Sequence, residues 1–87
     1  MPKAILAMSI LRRKAGLTQT QLAAQIGVNQ VDISIQENAE PGVRSVRESA
    51  LGEAAKLFGL EDPDDLLLSY DDFVAKTLNA KEVSSEA

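Results

Sequence analysis

The sequence contains no cysteine, no histidine and no tryptophan, and its only aromatic residues are two phenylalanines and one tyrosine. Without cysteine the chain can form neither a disulfide nor a thiolate metal site. Without histidine it also lacks the commonest zinc ligand and general base. Because aromatic side chains are so few, the hydrophobic core has to be built from leucine, isoleucine, valine and alanine.

Acidic residues are plentiful, but their spacing does not indicate a catalytic or metal-binding cluster. The aspartate pairs at 64–65 and 71–72 are neighbours in sequence, and neighbours on a helix point about 100° apart. The segment that begins at Asp62 lacks the glycine that a calcium loop needs at its sixth position. The sequence also has no glycine-rich phosphate loop and no nucleophile–base pair. We therefore predict no enzymatic activity, no metal site and no cofactor.

The charge of the chain is unevenly distributed. The 87 residues make one small domain with a net charge of −4. Residues 1–38 carry four basic and two acidic side chains, and residues 39–60 carry three of each. Residues 61–87 carry two basic and eight acidic side chains. The acidity therefore belongs to the C-terminal part, and the net charge alone does not exclude a nucleic-acid partner.

The most informative stretch is residues 16–38, GLTQTQLAAQIGVNQVDISIQEN, which predicts two short helices joined by a tight turn. Thr18 and Gln21 match a T-x-x-Q capping box at the start of the first helix. Gly27 suits the end of that helix, and Asn29 suits the N-cap of the second. The residues predicted to face inward are Leu22, Ala23, Ile26, Val28 and Ile33.

A first helix is predicted over residues 4–14, with Ile5, Met8 and Leu11 as candidate core positions. Its apolar start, AILAMSIL, is similar to the hydrophobic part of a secretion signal. It is short, however, has no A-x-A cleavage site and continues into three basic residues. We interpret it as a buried helix, and we expect a cytoplasmic protein that does not enter a membrane.

The second half of the chain predicts further helices. Ser45 and Glu48 match a second capping box, S-x-x-E, at the start of a helix that ends near Gly59. Its buried stripe would consist of Leu51, Ala54, Ala55 and Phe58. Asp62 followed by proline indicates the start of a short helix that buries two leucines, 66 and 67. A further turn or two is expected over residues 72–78, where Phe73, Val74 and Leu78 would form an apolar patch.

The stretch 16–38 resembles the helix-turn-helix of the phage repressor and Cro-like (XRE-type) family of bacterial regulators. The matching residues are Gln19, Ala23, Gly27, Val28, Ile33, Glu37 and Asn38. With the flanking helices, the resemblance covers roughly residues 4–68. It implies an all-α, five-helix DNA-binding domain over residues 1–70. A possible short sixth helix and a disordered tail would occupy residues 71–87.

The resemblance also implies sequence-specific binding of double-stranded DNA as a transcriptional regulator, with the second motif helix lying in the major groove. A homodimer would place two such helices about 34 Å apart. Since a helix advances about 100° per residue, an inward Ile33 turns the opposite face toward the bases, with Gln30 at its side. Glutamine can pair with adenine through two hydrogen bonds. The predicted base contacts are Asn29, Gln30, Val31, Ser34, Ile35 and Asn38.

Phosphate contacts are expected on either side of this helix. The predicted residues are Thr18, Gln19, Arg44 and Arg47. The first two stand at a helix N-terminus, which favours an anion, and the resemblance assigns Gln19 to the DNA backbone. The two arginines follow a turn and could reach flanking phosphates or simply be solvated. By resemblance, Arg12 and Glu37 form a partly buried ion pair with a structural role.

Three positions of the second motif helix depart from the usual pattern of the family. Ile35 replaces a basic or polar residue, Gln36 stands where a buried aliphatic residue is expected, and Asp32 adds a negative charge. We therefore expect weak attraction to phosphates and a shallow salt dependence of DNA binding. The alternative is a protein-interaction module, an antitoxin or antirepressor, that uses the same fold to bind a partner protein.

Overall fold

The computed structural model describes the backbone of residues 4–86 and the side chains of residues 4–78. In that part of the chain it contains five α-helices, one 3₁₀ helix and no β-strand, which confirms the predicted all-α fold. In order, they are α1 (Ala7–Lys14), α2 (Gln19–Ile26), α3 (Gln30–Glu37), α4 (Glu48–Leu57), the 3₁₀ helix (Pro63–Leu67) and α5 (Tyr70–Glu86). The segment predicted as the fifth helix is thus the 3₁₀ helix, and the described residues contain no sixth α-helix.

Helices α2 and α3 pack against each other across a short turn, and local hydrogen bonds cap both of their starts. Thr18 Oγ1 accepts from the amide of Gln21 at 3.0 Å, and Gln21 Oε1 accepts from the amide of Thr18 at 2.9 Å. Asn29 and Asp32 form an equivalent reciprocal box, at 3.2 and 3.4 Å, at the start of α3. Gly27 ends α2 with a φ of 76°, which glycine adopts without steric cost. The caps predicted for these two helices are confirmed.

The core lies between α1, α2, α3, α4 and the 3₁₀ helix, and it is built from aliphatic side chains. Its buried members are Met8, Leu22, Ala23, Ile26, Ile33, Val46, Ala50, Leu51, Ala54, Ala55, Leu66 and Leu67. Leu11, Val28 and Phe58 are partly buried against its edge. The predicted core position Ile5 is wrong, because its side chain is half exposed and its neighbour Leu6 is buried instead.

The segment before α1 is extended, although the sequence predicts a helix from residue 4. Its backbone pairs with the chain between the 3₁₀ helix and α5. The amide of Ala7 donates to the carbonyl of Leu68 at 2.8 Å, and the amide of Tyr70 donates to the carbonyl of Ile5 at 2.7 Å. Because these bonds occupy the backbone before Ala7, α1 begins there and the predicted start is wrong.

The predicted capping box of Ser45 and Glu48 is also wrong. Helix α4 begins at Glu48, its N-cap residue is Arg47, and no side-chain hydrogen bond caps it. The amides of Ser45 and Val46 instead donate to Oε1 of Gln36, at 2.7 and 3.1 Å. Since a side chain from α3 takes these two amides, the loop remains extended for longer and the helix starts later.

Helix α5 is attached to the rest of the domain by side chains from α1 and the 3₁₀ helix. Lys14 Nζ donates to Tyr70 Oη at 2.9 Å and lies 5.4 Å from the centre of its ring. Tyr70 also stacks on Phe73, with 6.3 Å between ring centres. One turn later, Lys76 Nζ donates to Asp65 Oδ1 at 2.5 Å, and this hydrogen bond raises the pKa of Lys76. These contacts fix the first turns of α5.

Helix α5 is longer than the turn or two predicted over residues 72–78. Its backbone is helical to Glu86, whereas the sequence predicts a disordered tail from about residue 79. The segment after Tyr70 contains no glycine and no proline, the two residues least favourable in a helix interior, so the helix can continue through it. Of the predicted apolar patch, Leu78 is exposed, while Phe73 and Val74 are partly buried.

Candidate functional site

Helix α3 has one buried face and one exposed face. Ile33 and Gln36 are fully buried against the domain. On the opposite side, the side chains of Val31 and Ile35 are 60% and 55% exposed, and Gln30 is exposed in the first turn. The predicted orientation of α3 is confirmed, and its outer face combines one amide with two aliphatic side chains.

A chain of hydrogen bonds runs from the interior of the domain to this outer face. Arg12 Nε donates to Glu37 Oε2 at 2.6 Å, and its Nη2 donates to Glu37 Oε1 at 3.1 Å. Gln19 Nε2 donates to the same Oε1 at 3.0 Å. Gln30 Nε2 then donates to Gln19 Oε1 at 2.6 Å. Gln30, a predicted base contact, is therefore linked to Gln19, a predicted phosphate contact. Through Gln19, it is also linked to the ion pair of Arg12 and Glu37.

The ion pair predicted between Arg12 and Glu37 is present, and it is buried. The two side chains are 9% and 5% exposed. Arg12 Nη1 also donates to the carbonyl of Leu17 at 2.8 Å, in the turn between α1 and α2. The bidentate geometry and the third hydrogen bond compensate for much of the desolvation of the guanidinium. The pair thus fixes the end of α3 relative to α1 and to the start of α2.

Gln36 is the residue whose role the sequence did not reveal. Its Nε2 donates to the carbonyl of Val43 at 2.8 Å, and its Oε1 accepts from the amides of Ser45 and Val46. The side chain therefore satisfies three backbone groups of the loop between α3 and α4. A glutamine at a position that should face inward was the available signal, because a buried amide requires several partners.

The two arginines predicted to contact phosphates occupy different surroundings. Arg47 Nη2 donates to the carbonyl of Gly27 at 2.6 Å, so this guanidinium caps the end of α2. Arg44 lies 4.0 Å from Glu48, and it lines a shallow groove of about 430 Å³ together with Asp62 and Asp64. Their phosphate contacts remain predictions, and carboxylates in the groove beside Arg44 reduce its attraction for an anion.

Other predicted contact residues also make local hydrogen bonds. Asn29 Oδ1 caps α3, and Asn38 Nδ2 donates to the carbonyl of Ser34 at 2.8 Å. Thr18 Oγ1 caps α2. These side chains define the ends of the two helices whether or not they also touch a ligand. Gln30, Val31 and Ile35 differ from them because their exposed atoms have no role in capping.

Acidic groups are concentrated on the 3₁₀ helix and on α5 rather than on α3. The 3₁₀ helix packs against α1 and α4, and α5 packs against α1. These two elements begin with Asp64, Asp65, Asp71 and Asp72. The charged residues of α3 are Asp32, which is partly exposed, and Glu37, whose charge is neutralised by Arg12. The outer face of α3 is therefore close to electrically neutral.

Comparison with protein-family models, with curated proteins and with solved structures finds no match for this chain. Among the described residues, no helix is long and apolar enough to cross a membrane. The same residues contain no group of three histidine, cysteine, aspartate or glutamate side chains placed to hold a metal ion.

Proposed function

We propose that this chain is a repressor-like transcriptional regulator that acts in the cytoplasm, binds double-stranded DNA as a homodimer and requires no cofactor. The supporting observation is the outer face of α3. Ile33 and Gln36 anchor the helix inward, and Gln30, Val31 and Ile35 are left exposed on the other side. A single helix that projects a row of such side chains fits the major groove, which is about 12 Å wide.

Each exposed group on α3 has a partner in the groove. The Gln30 amide matches the N7 acceptor and N6 donor of adenine. Val31 and Ile35 lie one helical turn apart and match the methyl group of thymine. At the start of α2, the backbone amide of Gln19 and the hydroxyl of Thr18, which accepts from Gln21 but keeps its own hydrogen, can donate to a phosphate. The preferred site should therefore combine an adenine with adjacent thymines.

Selection of bound fragments from a genomic DNA library, at two salt concentrations, tests the proposal. An enriched inverted repeat, with half-sites about one helical turn apart, would support both specific binding and the homodimer. The salt dependence should be shallow, because the α3 face is nearly neutral. Absence of any enriched sequence at the lower salt concentration would contradict the proposal.

Replacing Gln30 with alanine should weaken binding to the selected site by about 1–3 kcal/mol, because one bidentate base contact is lost. Binding to scrambled DNA should change little, since no phosphate contact is removed. Fluorescence anisotropy on both DNAs measures the difference. Gln25→Ala, at an exposed glutamine of α2, is the matched control and should leave both affinities unchanged. Equal losses on the two DNAs would exclude base recognition by Gln30.

A second candidate function is favoured by one observation, the exposure of Val31 and Ile35 on the same face. Adjacent exposed aliphatic residues are also typical of a protein-binding surface. In that case the chain would be an antitoxin or antirepressor whose partner protein covers α3.

Substituting arginine for Ile35 distinguishes the two functions. On DNA, the variant should bind scrambled sequences more tightly and steepen the salt dependence by about one phosphate charge. In an apolar pocket of a partner protein, the same charge would be desolvated and binding should be lost. Leu57→Arg, at an exposed leucine of α4, adds the same charge away from α3 and serves as the control. An unchanged DNA affinity and salt slope for Ile35→Arg would exclude α3 from the groove.

A further inference from the structure

We propose that Glu37 is a positioning residue that determines the order in which Gln30 presents its hydrogen-bond donor and acceptor to a base pair. This order lets the domain distinguish an A·T pair from a T·A pair at the position read by Gln30. The inference rests on the proposed function, and it concerns a residue that is buried and does not itself reach the DNA.

The direction of each hydrogen bond in the chain follows from the chemistry of its inner end. The Arg12 guanidinium can only donate, and the Glu37 carboxylate can only accept. Gln19 therefore has to turn its NH₂ group toward Glu37, where Nε2 and Oε1 are 3.0 Å apart. Its oxygen is left facing Gln30. Gln30 consequently has to donate from Nε2, and the distance is 2.6 Å.

The fixed direction of these hydrogen bonds prevents the Gln30 amide from rotating freely. An exposed glutamine can rotate its amide by about 180° and exchange the positions of nitrogen and oxygen. If Gln30 did so, its oxygen would face the oxygen of Gln19 and the hydrogen bond would be replaced by repulsion. Gln19 cannot turn over in response, because its NH₂ group is bound to the almost fully buried carboxylate of Glu37.

The remaining groups of Gln30 are one N–H and the oxygen, in a fixed order. Adenine offers N7 as an acceptor and N6 as a donor along the edge of the major groove. When an A·T pair is exchanged for T·A, adenine moves to the other strand and these two groups appear in the opposite order across the groove. A fixed amide therefore matches one of the two pairs, whereas a freely rotating amide could match either.

Two substitutions of Gln19 test this inference and leave the Arg12–Glu37 pair in place. Gln19→Met interrupts the chain with a side chain of similar length. Gln19→Lys replaces the Gln19 amide, which donates to Glu37 and accepts from Gln30, by an ammonium group that can only donate. This group would donate to Glu37 on one side and to the oxygen of Gln30 on the other. Affinities are measured for the selected site and for the same site with one A·T pair changed to T·A. The pair to change is the one that the wild type distinguishes and Gln30→Ala does not.

The wild-type protein should prefer the A·T site on the order of tenfold. In Gln19→Met the preference should fall to about twofold or less, and in Gln19→Lys it should reverse in favour of T·A. Thr20→Lys, at an exposed residue of α2, adds the same charge without entering the chain and should keep the wild-type ratio. The ratio between the two sites removes any general effect of the added charge on affinity.

An unchanged ratio in both Gln19 variants, with a preference that Gln30→Ala abolishes, would overturn the role of Glu37 and leave the proposed function intact. No sequence preference in the wild-type protein would overturn the proposed function itself. A measurement without DNA tests the hydrogen bond between Gln19 and Gln30 directly. By NMR, one side-chain N–H of Gln30 should exchange with water more slowly in the wild type than in Gln19→Met, and equal exchange rates in the two proteins would also overturn the inference.

Discussion

Replacing Glu37 with alanine should lower the free energy of unfolding by about 3–5 kcal/mol, because the variant leaves the guanidinium of Arg12 buried without its partner. The variant also lacks the carboxylate that accepts from Gln19, so the start of α2 is affected as well as the end of α3. For a small domain this is a large part of the total stability, which is typically about 5–15 kcal/mol. Urea denaturation followed by far-ultraviolet circular dichroism measures the change.

Two further variants separate the burial of a charge from the general effect of losing a glutamate. Glu53→Ala removes an exposed glutamate of α4 that lies 3.7 Å from Lys56, and it should cost less than about 0.5 kcal/mol. The double variant Arg12→Met, Glu37→Leu removes both charges together and should be far more stable than Glu37→Ala alone. A loss below about 1 kcal/mol for Glu37→Ala would contradict the buried position of the pair.

Replacing Gln36 with leucine should also destabilise the domain, by about 1–3 kcal/mol, even though a leucine has a similar size and is apolar. The loss arises from the loop, because the amides of Ser45 and Val46 and the carbonyl of Val43 lose their partner. The Val46 amide is buried, and a buried group left without a hydrogen bond costs about 1–3 kcal/mol, whereas water can reach the groups of Val43 and Ser45. Denaturation with urea gives the difference in stability between the two proteins.

The matched control is Gln25→Leu, which makes the same change at an exposed position of α2. Its effect should stay within about 0.5 kcal/mol. If Gln36→Leu were as stable as the wild type or more stable, the loop would have found other partners, and the position would behave as the aliphatic core site that the family resemblance implies.

Features determined by near neighbours in the sequence were predictable. The capping box at Thr18, the N-cap at Asn29 and the left-handed Gly27 depend on residues at most three positions apart, and all three occur as expected. The inward face of α3 also followed from helical periodicity once Ile33 was placed in the core. In each case the local chemistry and the tertiary structure favour the same conformation.

The features that were not predictable depend on contacts between distant parts of the chain. Ser45 has the sequence of a helix cap, but its amide is taken by Gln36 from α3. Ile5 has the hydrophobicity of a core residue, but pairing with the segment before α5 leaves it half exposed. The link between Gln19 and Gln30 joins residues on two different helices. A local pattern contains no information about such partners.

The position of the single tyrosine gives the protein an internal optical probe. Tyr70 is the only tyrosine of a chain without tryptophan, and it lies where Lys14 of α1 meets the first turn of α5. Its fluorescence therefore reports the docking of α5 on α1, whereas circular dichroism reports all helices together. Unfolding curves that coincide for the two signals would identify a single cooperative unit. A tyrosine transition at lower denaturant would show that α5 detaches while the other helices remain folded.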